Sequence, residues 1–237
     1  IDLSIVDDSL FENDESVVLT LGAPTNATLG ATTVHTATIT DNDTAPTVAF
    51  NAAAQSIGEA AGSTTASVTL SAASGLETII PFTAGGTAID PDDYSDLDLG
   101  SLTIPAGQLS TTVDLSIVDD SLFENDETVV LTLGAPTNAT LGATTVHTAT
   151  ITDNDTAPTV AFDAAAQSIG EAAGSTTASV TLSAASGLET IIPFTASGTA
   201  IDPDDYSDLD LGSLTIPAGQ LSTTVDLSIV DDSLFEN

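Results

Sequence analysis

The chain has 237 residues, among them 35 Asp and Glu and not one Lys or Arg, for a formal charge of −35. It can form no salt bridge to Lys or Arg and offers no basic patch to a phosphate backbone, which excludes nucleic acid as a partner. The absence of Cys excludes disulfides and thiolate-bound zinc. Hydrophobic residues make up 41% with no Trp or Met, so packed cores must be built from Val, Ile, Leu, Ala and a few Phe. No apolar run approaches the roughly 18 residues of a membrane span, and no membrane insertion is expected in this segment. Self-repulsion on this scale destabilises a compact state unless divalent cations or a salt-rich medium neutralise it.

From its first residues the chain repeats itself. Ile1–Asn13 returns as Val113–Asn125 and as Val225–Asn237, a period of 112 residues. Only four aligned positions differ: Ile1/Val113, Ser16/Thr128, Asn51/Asp163 and Gly85/Ser197. The period divides the chain into the C-terminal part of one module (1–43), a complete module (44–155) and the N-terminal part of another (156–237). Two readings stay open. The chain is a window on a longer array, or it is a filament subunit in which residues 14–43 supply the two strands that 156–237 lacks, completed between neighbouring chains.

Along the complete module, β-branched residues recur at period two between Gly, Pro, Asn and Asp. This pattern predicts strands at 47–50, 66–70, 78–83, 101–104, 111–118, 128–133 and 145–152. Val113, Leu115 and Ile117 alternate with Thr112, Asp114 and Ser116, as in a strand with one buried face. In the last strand Val146, Thr148 and Ile151 alternate only imperfectly. Gly58 and Gly62 break the Ala-rich stretch between them and its neighbours, so no helix longer than a turn is expected. Pro105-Ala106-Gly107 and Gly134-Ala135-Pro136 read as turns. The expected fold is all-β: tandem immunoglobulin-like β-sandwich modules with a 112-residue repeat. The join at Asp153–Pro158 is short, which favours a stiff array.

Acidic residues gather in loops: Asp119, Asp120, Glu124, Asp126 and Glu127; then Asp90, Asp92, Asp93, Asp96 and Asp98; then Asp153 and Asp155. Clustered carboxylates without a basic partner raise one another's pKa, whereas a hard cation turns the repulsion into binding. Calcium fits best, because it accepts six to eight oxygens in flexible geometry. His35 and His147 occupy one repeat position with no second His or Cys for a transition metal, and read as structural. Glu77, Asp96, Asp98 and Asp114 read as solvated surface.

The run Ile117–Glu127 (IVDDSLFENDE), with Asp93-Tyr94, Gly100 and Pro105–Gln108 before it and Ile151–Asp155 (ITDND) closing the module, resembles a Calx-beta domain. Gly58-Glu59 followed by Gly62 resembles that family's early Glu-x-x-Gly element. The resemblance spans the whole 112-residue unit. It implies an immunoglobulin-like sandwich that binds calcium at one pole, with ligands at Glu59, Asp93, Asp119, Asp120, Glu124, Glu127, Asp153 and Asp155. The same mapping gives Asp7, Asp8, Glu12, Glu15, Asp41 and Asp43 in the first part, and Glu171, Asp205, Asp231, Asp232 and Glu236 in the last. Ser121 and Asn154 stand where well-studied calcium-binding members carry Asp, which implies fewer or weaker ions.

The expected function is a calcium-stiffened segment of an extracellular adhesin, matrix protein or surface filament, at the cell surface or outside it, with neighbouring copies of the module as partners. The alternative is a regulatory calcium-sensing module of a larger membrane-associated protein. Catalysis is not expected: no nucleophile pattern and no aromatic sugar platform accompanies the carboxylates.

Overall fold

A computed structural model describes residues 2–95, 97, 100–207, 209 and 212–231. The chain divides into two compact units, Ile1–Asp119 with Glu127–Ile151, and Asp120–Asp126 with Thr152–Asn237.

The first unit opens with a hairpin of β1 (Glu15–Thr20) and β2 (Val34–Ile39), which pair antiparallel with Leu19 opposite His35. Ten strands follow: β3 (Thr47–Phe50), β4 (Ala54–Gly58), β5 (Ser63–Leu70), β6 (Thr78–Gly86), β7 (Tyr94–Ser95), β8 (Ser101–Ile104), β9 (Ser110–Ile117), β10 (Glu127–Leu133), β11 (Thr140–Leu141) and β12 (Val146–Thr152). They form two five-stranded sheets, ordered β4-β12-β10-β6-β8 and β11-β3-β5-β9-β7. Period-two alternation explains how these sheets close on each other. Ala66, Val68 and Leu70 of β5 and Val113, Leu115 and Ile117 of β9 are buried from one side. Ile80 and Phe82 of β6 and Val129, Leu131 and Leu133 of β10 are buried from the other. One continuous core between the two sheets is the signature of an immunoglobulin-like β-sandwich.

All seven expected strands are present, and three short ones were not expected. β4 lies in the Ala-rich stretch, where small residues give no apolar alternation, although Gln55 and Ile57 do turn partly inward. The phase of the last strand needs correction. Its inward residues are His147, Ala149 and Ile151, while Val146 is 42% exposed. His147 occupies an inward position because its Nδ1–H donates to the Ala52 carbonyl at 2.8 Å and its ring packs beside Phe50, with centroids 5.4 Å apart. His147 thus packs as a structural residue in the complete module, whereas its copy His35 is exposed. Among the described residues, helical structure is confined to single 3₁₀ turns at Glu59–Ala61 and Glu171–Ala173. No helix among the described residues is long and apolar enough to cross a membrane.

The second unit contains β13 (Val160–Phe162), β14 (Ser175–Leu182), β15 (Thr190–Pro193), β16 (Tyr206–Ser207), β17 (Ser213–Ile216) and β18 (Ser222–Ile229). Its sheets are β13-β14-β18-β16 and the pair β15-β17. Nearly identical residues take different structures here. Phe82–Gly86 extend β6 by pairing with Leu133–Val129 of β10, whereas β15 stops at Pro193 and pairs with β17 alone. A neighbouring strand, rather than intrinsic propensity, decides how far this strand runs.

The repeat supplies its own control for packing. Leu131 is 1% exposed and its copy Leu19 is 37% exposed. Leu131→Ala should cost about 2–5 kcal/mol, and Leu19→Ala no more than about 0.5 kcal/mol, both read from the urea denaturation midpoint. Equal costs would contradict this core assignment.

Candidate metal centre

Hairpin geometry brings distant carboxylates to one end. Glu15 at the start of β1 lies opposite Ile39 at the end of β2, so the chain just before β1 and just after β2 must meet. The result is an open cleft of about 630 Å³ lined by Asp7, Asp8, Glu12, Glu15, Asp41 and Asp43, among others. All six residues expected in this part of the chain are therefore brought together.

Backbone N–H groups brace this cleft in place of basic side chains. The Asp41 carboxylate accepts from Glu12 N–H at 3.1 Å through Oδ2 and from Asp43 N–H at 3.2 Å through Oδ1. Asp41 N–H donates to Asp14 Oδ1 at 3.0 Å, and Leu10 N–H donates to Asp8 Oδ1 at 2.9 Å. Asn42 donates its side-chain amide to Asp7 Oδ1 at 3.3 Å. It therefore contributes a donor where an acid would add another charge. These neutral donors do not cancel the repulsion. Partial burial, then Asp8, Glu15, Asp41 and Asp43, push the Glu12 carboxyl above its usual range. Partial burial, then Asp41, Asp7 and Asp8, do the same to Asp43.

The bracing recurs in the next copy. The Asp153 carboxylate accepts from Glu124 N–H at 3.2 Å and from Asp155 N–H at 3.1 Å. Asp153 N–H donates to Asp126 Oδ1 at 3.3 Å, and Leu122 N–H to Asp120 Oδ1 at 2.7 Å. Asp14 and Asp126 were not among the expected ligands, and both brace the loop. The signal for them was their fixed offset within the repeated FENDE run.

The remaining candidates sit at strand ends. Glu59 is buried in the 3₁₀ turn before β5. Half-buried Asp93 holds the turn before β7: Ile89 N–H donates to its Oδ2 at 2.5 Å, and its own N–H donates to the Ile89 carbonyl at 2.8 Å. A carboxylate oxygen of Asp93 lies within 4.8 Å of one from Glu127, and one of Asp120 within 4.8 Å of one from Asp155. Asp119 is exposed on the loop after β9. In the last repeat Asp205 holds the same turn as Asp93, accepting from Ile201 N–H at 2.6 Å, while Glu171 and Asp231 are exposed. Asp232 and Glu236 lie outside the described residues, as do Asp96 and Asp98.

These donors are all oxygens, they are paired at short range, and the sequence contains no Lys or Arg to neutralise them. That chemistry suits a hard cation with many oxygen ligands, and calcium above magnesium, which keeps more of its water. The residues fit a calcium ion.

Fold and cleft together define a tandem array of acidic, immunoglobulin-like modules. The Calx-beta domain family matches residues 1–43, 41–155 and 153–237, and the chain belongs to that family. Calx-beta domains bind calcium, and the carboxylate groups described above could hold a metal ion. The chain is 26% identical over 247 aligned residues to extracellular matrix protein 3 of Lytechinus variegatus, covering 98% of this chain and 8% of that protein. It is 25% identical over 153 residues to sodium/calcium exchanger 1 of Bos taurus, covering 56% of this chain and 16% of that protein. It thus spans only a small part of either relative. Among solved structures, CBD12 from CALX1.2 is similar at 24% identity and a TM-score of 0.43, covering 79% of this chain and 76% of that one.

The raised carboxyls give a sign for the pH dependence. A carboxylate whose folded pKa is raised binds its proton more tightly when folded, so its contribution favours folding below its unfolded value and is lost as pH rises through the folded value. In metal-free buffer, thermal melting should move upward as pH falls from 7 towards the folded values of Glu12 and Asp43, which lie above the usual 4.5 and 3.8. A melting temperature that falls over that interval would contradict the repulsion described here.

Proposed function

We propose that this chain is a calcium-stiffened structural segment of an extracellular adhesin, matrix protein or surface filament, working by binding and not by catalysis. The observation that carries the reading is the collection of carboxylates at strand ends in a chain with no Lys or Arg. The proposed ligands in the complete module are Glu59, Asp93, Asp119, Asp120, Glu124, Glu127, Asp153 and Asp155, with their copies in the flanking parts. Similarity to an extracellular matrix protein supports a place outside the cell or at its surface. Near-identity of the repeats supports a load-bearing array, in which every module does the same work.

Similarity to a sodium/calcium exchanger favours a second reading, a calcium-sensing module of a membrane-associated protein. Affinity separates the two. Structural extracellular modules bind calcium at about 10⁻⁴–10⁻³ M and sensors at about 10⁻⁷–10⁻⁵ M.

Neighbouring copies of the module are the proposed partners, with strands completed between chains. Leu19 and Leu21 of the first part are 37% and 61% exposed, whereas Leu131 and Leu133, the same positions in the complete module, are 1% and 4% exposed on a chain segment that pairs with β6. A second copy presenting its β15 edge would give β1 the pairing neighbour that β10 has in β6.

Thermal melting in EDTA and in saturating calcium tests the main reading. Calcium at a hundredfold excess over its Kd adds about 2.7 kcal/mol, a rise of roughly 10 °C for a domain of this size. Asp93→Asn combined with Glu127→Gln should remove much of that rise. Melting that ignores calcium would sink the proposal. Light scattering on the same samples reports association, and a chain that stays monomeric at every concentration contradicts completion between chains.

A further inference from the structure

One contact recurs beside the acidic loops and is made by none of their carboxylates. Ser74, in the connection between β5 and β6, is only 1% exposed. Its hydroxyl donates to the Phe11 carbonyl at 3.1 Å and accepts from Leu76 N–H at 3.0 Å. The neighbouring Gly75 N–H donates to the same Phe11 carbonyl at 3.1 Å, so both lone pairs of that oxygen are engaged. The Ser74 carbonyl in turn accepts from Gly107 N–H at 2.8 Å, which fastens the turn to its own module. Phe11 and Ser74 are bridged in parallel. A Cβ added to Gly75 would collide with Glu12 Oε1 and lie 2.5 Å from its Cγ, so the Glu12 side chain would have to move away.

Every part of this arrangement appears a second time. Ser186 is 3% exposed and donates to the Phe123 carbonyl at 3.1 Å, Gly187 N–H donates to the same oxygen at 3.1 Å, and Gly219 N–H donates to the Ser186 carbonyl at 2.7 Å. A Cβ at Gly187 would collide with Glu124 Oε1.

We propose that the Ser74-Gly75 turn, and its copy Ser186-Gly187, is a docking seat for the acidic loop of the preceding repeat. Its partner is another copy of this module, recognised through a backbone carbonyl and the Glu side chain that follows it. A buried hydroxyl is costly unless it is hydrogen-bonded, and here the neighbouring repeat supplies the acceptor. The glycine leaves the volume that the Glu side chain occupies, so a repeat also helps to place a carboxylate of the repeat before it. That last consequence rests on the calcium reading; the seat itself does not.

Hydrogen exchange resolved at single amides by NMR, on the full chain, tests the seat. In wild type the Gly75 and Gly187 amides should be protected. In the Ser74→Ala, Ser186→Ala variant they should exchange roughly tenfold faster, while Val68 and Val180 within β5 and β14 stay protected. Unprotected glycine amides in wild type, or rates unchanged in the variant, overturn the proposal. If the variant loses strand protection as well, Gly75→Ala with Gly187→Ala keeps both serines and displaces only the Glu side chains. Calcium affinity several-fold weaker than wild type, with the strands intact, then supports the seat's placing of Glu12 and Glu124, and unchanged affinity overturns it. If wild type binds no calcium, the calcium reading fails, and protection of the two glycine amides alone decides the seat.

Discussion

Mutual repulsion among carboxylates that no Lys or Arg can relieve is the constraint on which the rest of this protein depends. The fold answers it first with neutral donors. Asp41 and Asp153 each take two backbone N–H groups, Asp8 and Asp120 each take one, and Asn42 turns its amide on Asp7. Dipoles of this kind orient and partly stabilise a carboxylate without changing the net charge. Partial burial, and after it the neighbouring carboxylates, still push Glu12 and Asp43 upward, so these donors do not cancel the repulsion. A hard cation bound there would remove that remainder and exploit the bracing, because oxygens already fixed by the backbone lose little freedom on binding.

Topology decides where the charge collects. Glu59 precedes β5, Asp93 precedes β7, Asp119 follows β9, Glu127 opens β10 and Asp153 follows β12. Within the strands the alternation is apolar and polar, and Asp114 on β9 points to solvent. Among the described residues the cluster packed between the two sheets is apolar, Glu59 being buried in the turn before β5, and its stability comes from apolar burial. Repulsion is confined to the loops, where ion binding can act on it without disturbing the core.

Much of this was legible in the sequence, because strand alternation and turn residues are local signals. The strands at 47–50 and 101–104 have the bounds that alternation gives them, and Val113, Leu115 and Ile117 are buried as it requires. What was not legible depends on partners. The inward phase of β12 rests on His147 finding the Ala52 carbonyl, which no periodicity reports. Residues 82–86 are strand and their near-copies 194–198 are not, because only the first set lies beside β10. Ser74 and Gly75 look like ordinary turn residues until the Phe11 carbonyl arrives from 63 positions away. The carboxylate clusters were visible as composition, but the bracing role of Asp14 and Asp41 needed the hydrogen bonds.

The central claim is that the carboxylates form built cation sites and not merely an acidic surface. Equilibrium dialysis against radioactive calcium in about 1 M sodium chloride separates the two, because the screening length falls to roughly 3 Å and diffuse attraction disappears. The account predicts saturable calcium binding that survives this salt at a fixed number of ions per chain. Binding that declines continuously to nothing as salt rises would contradict it.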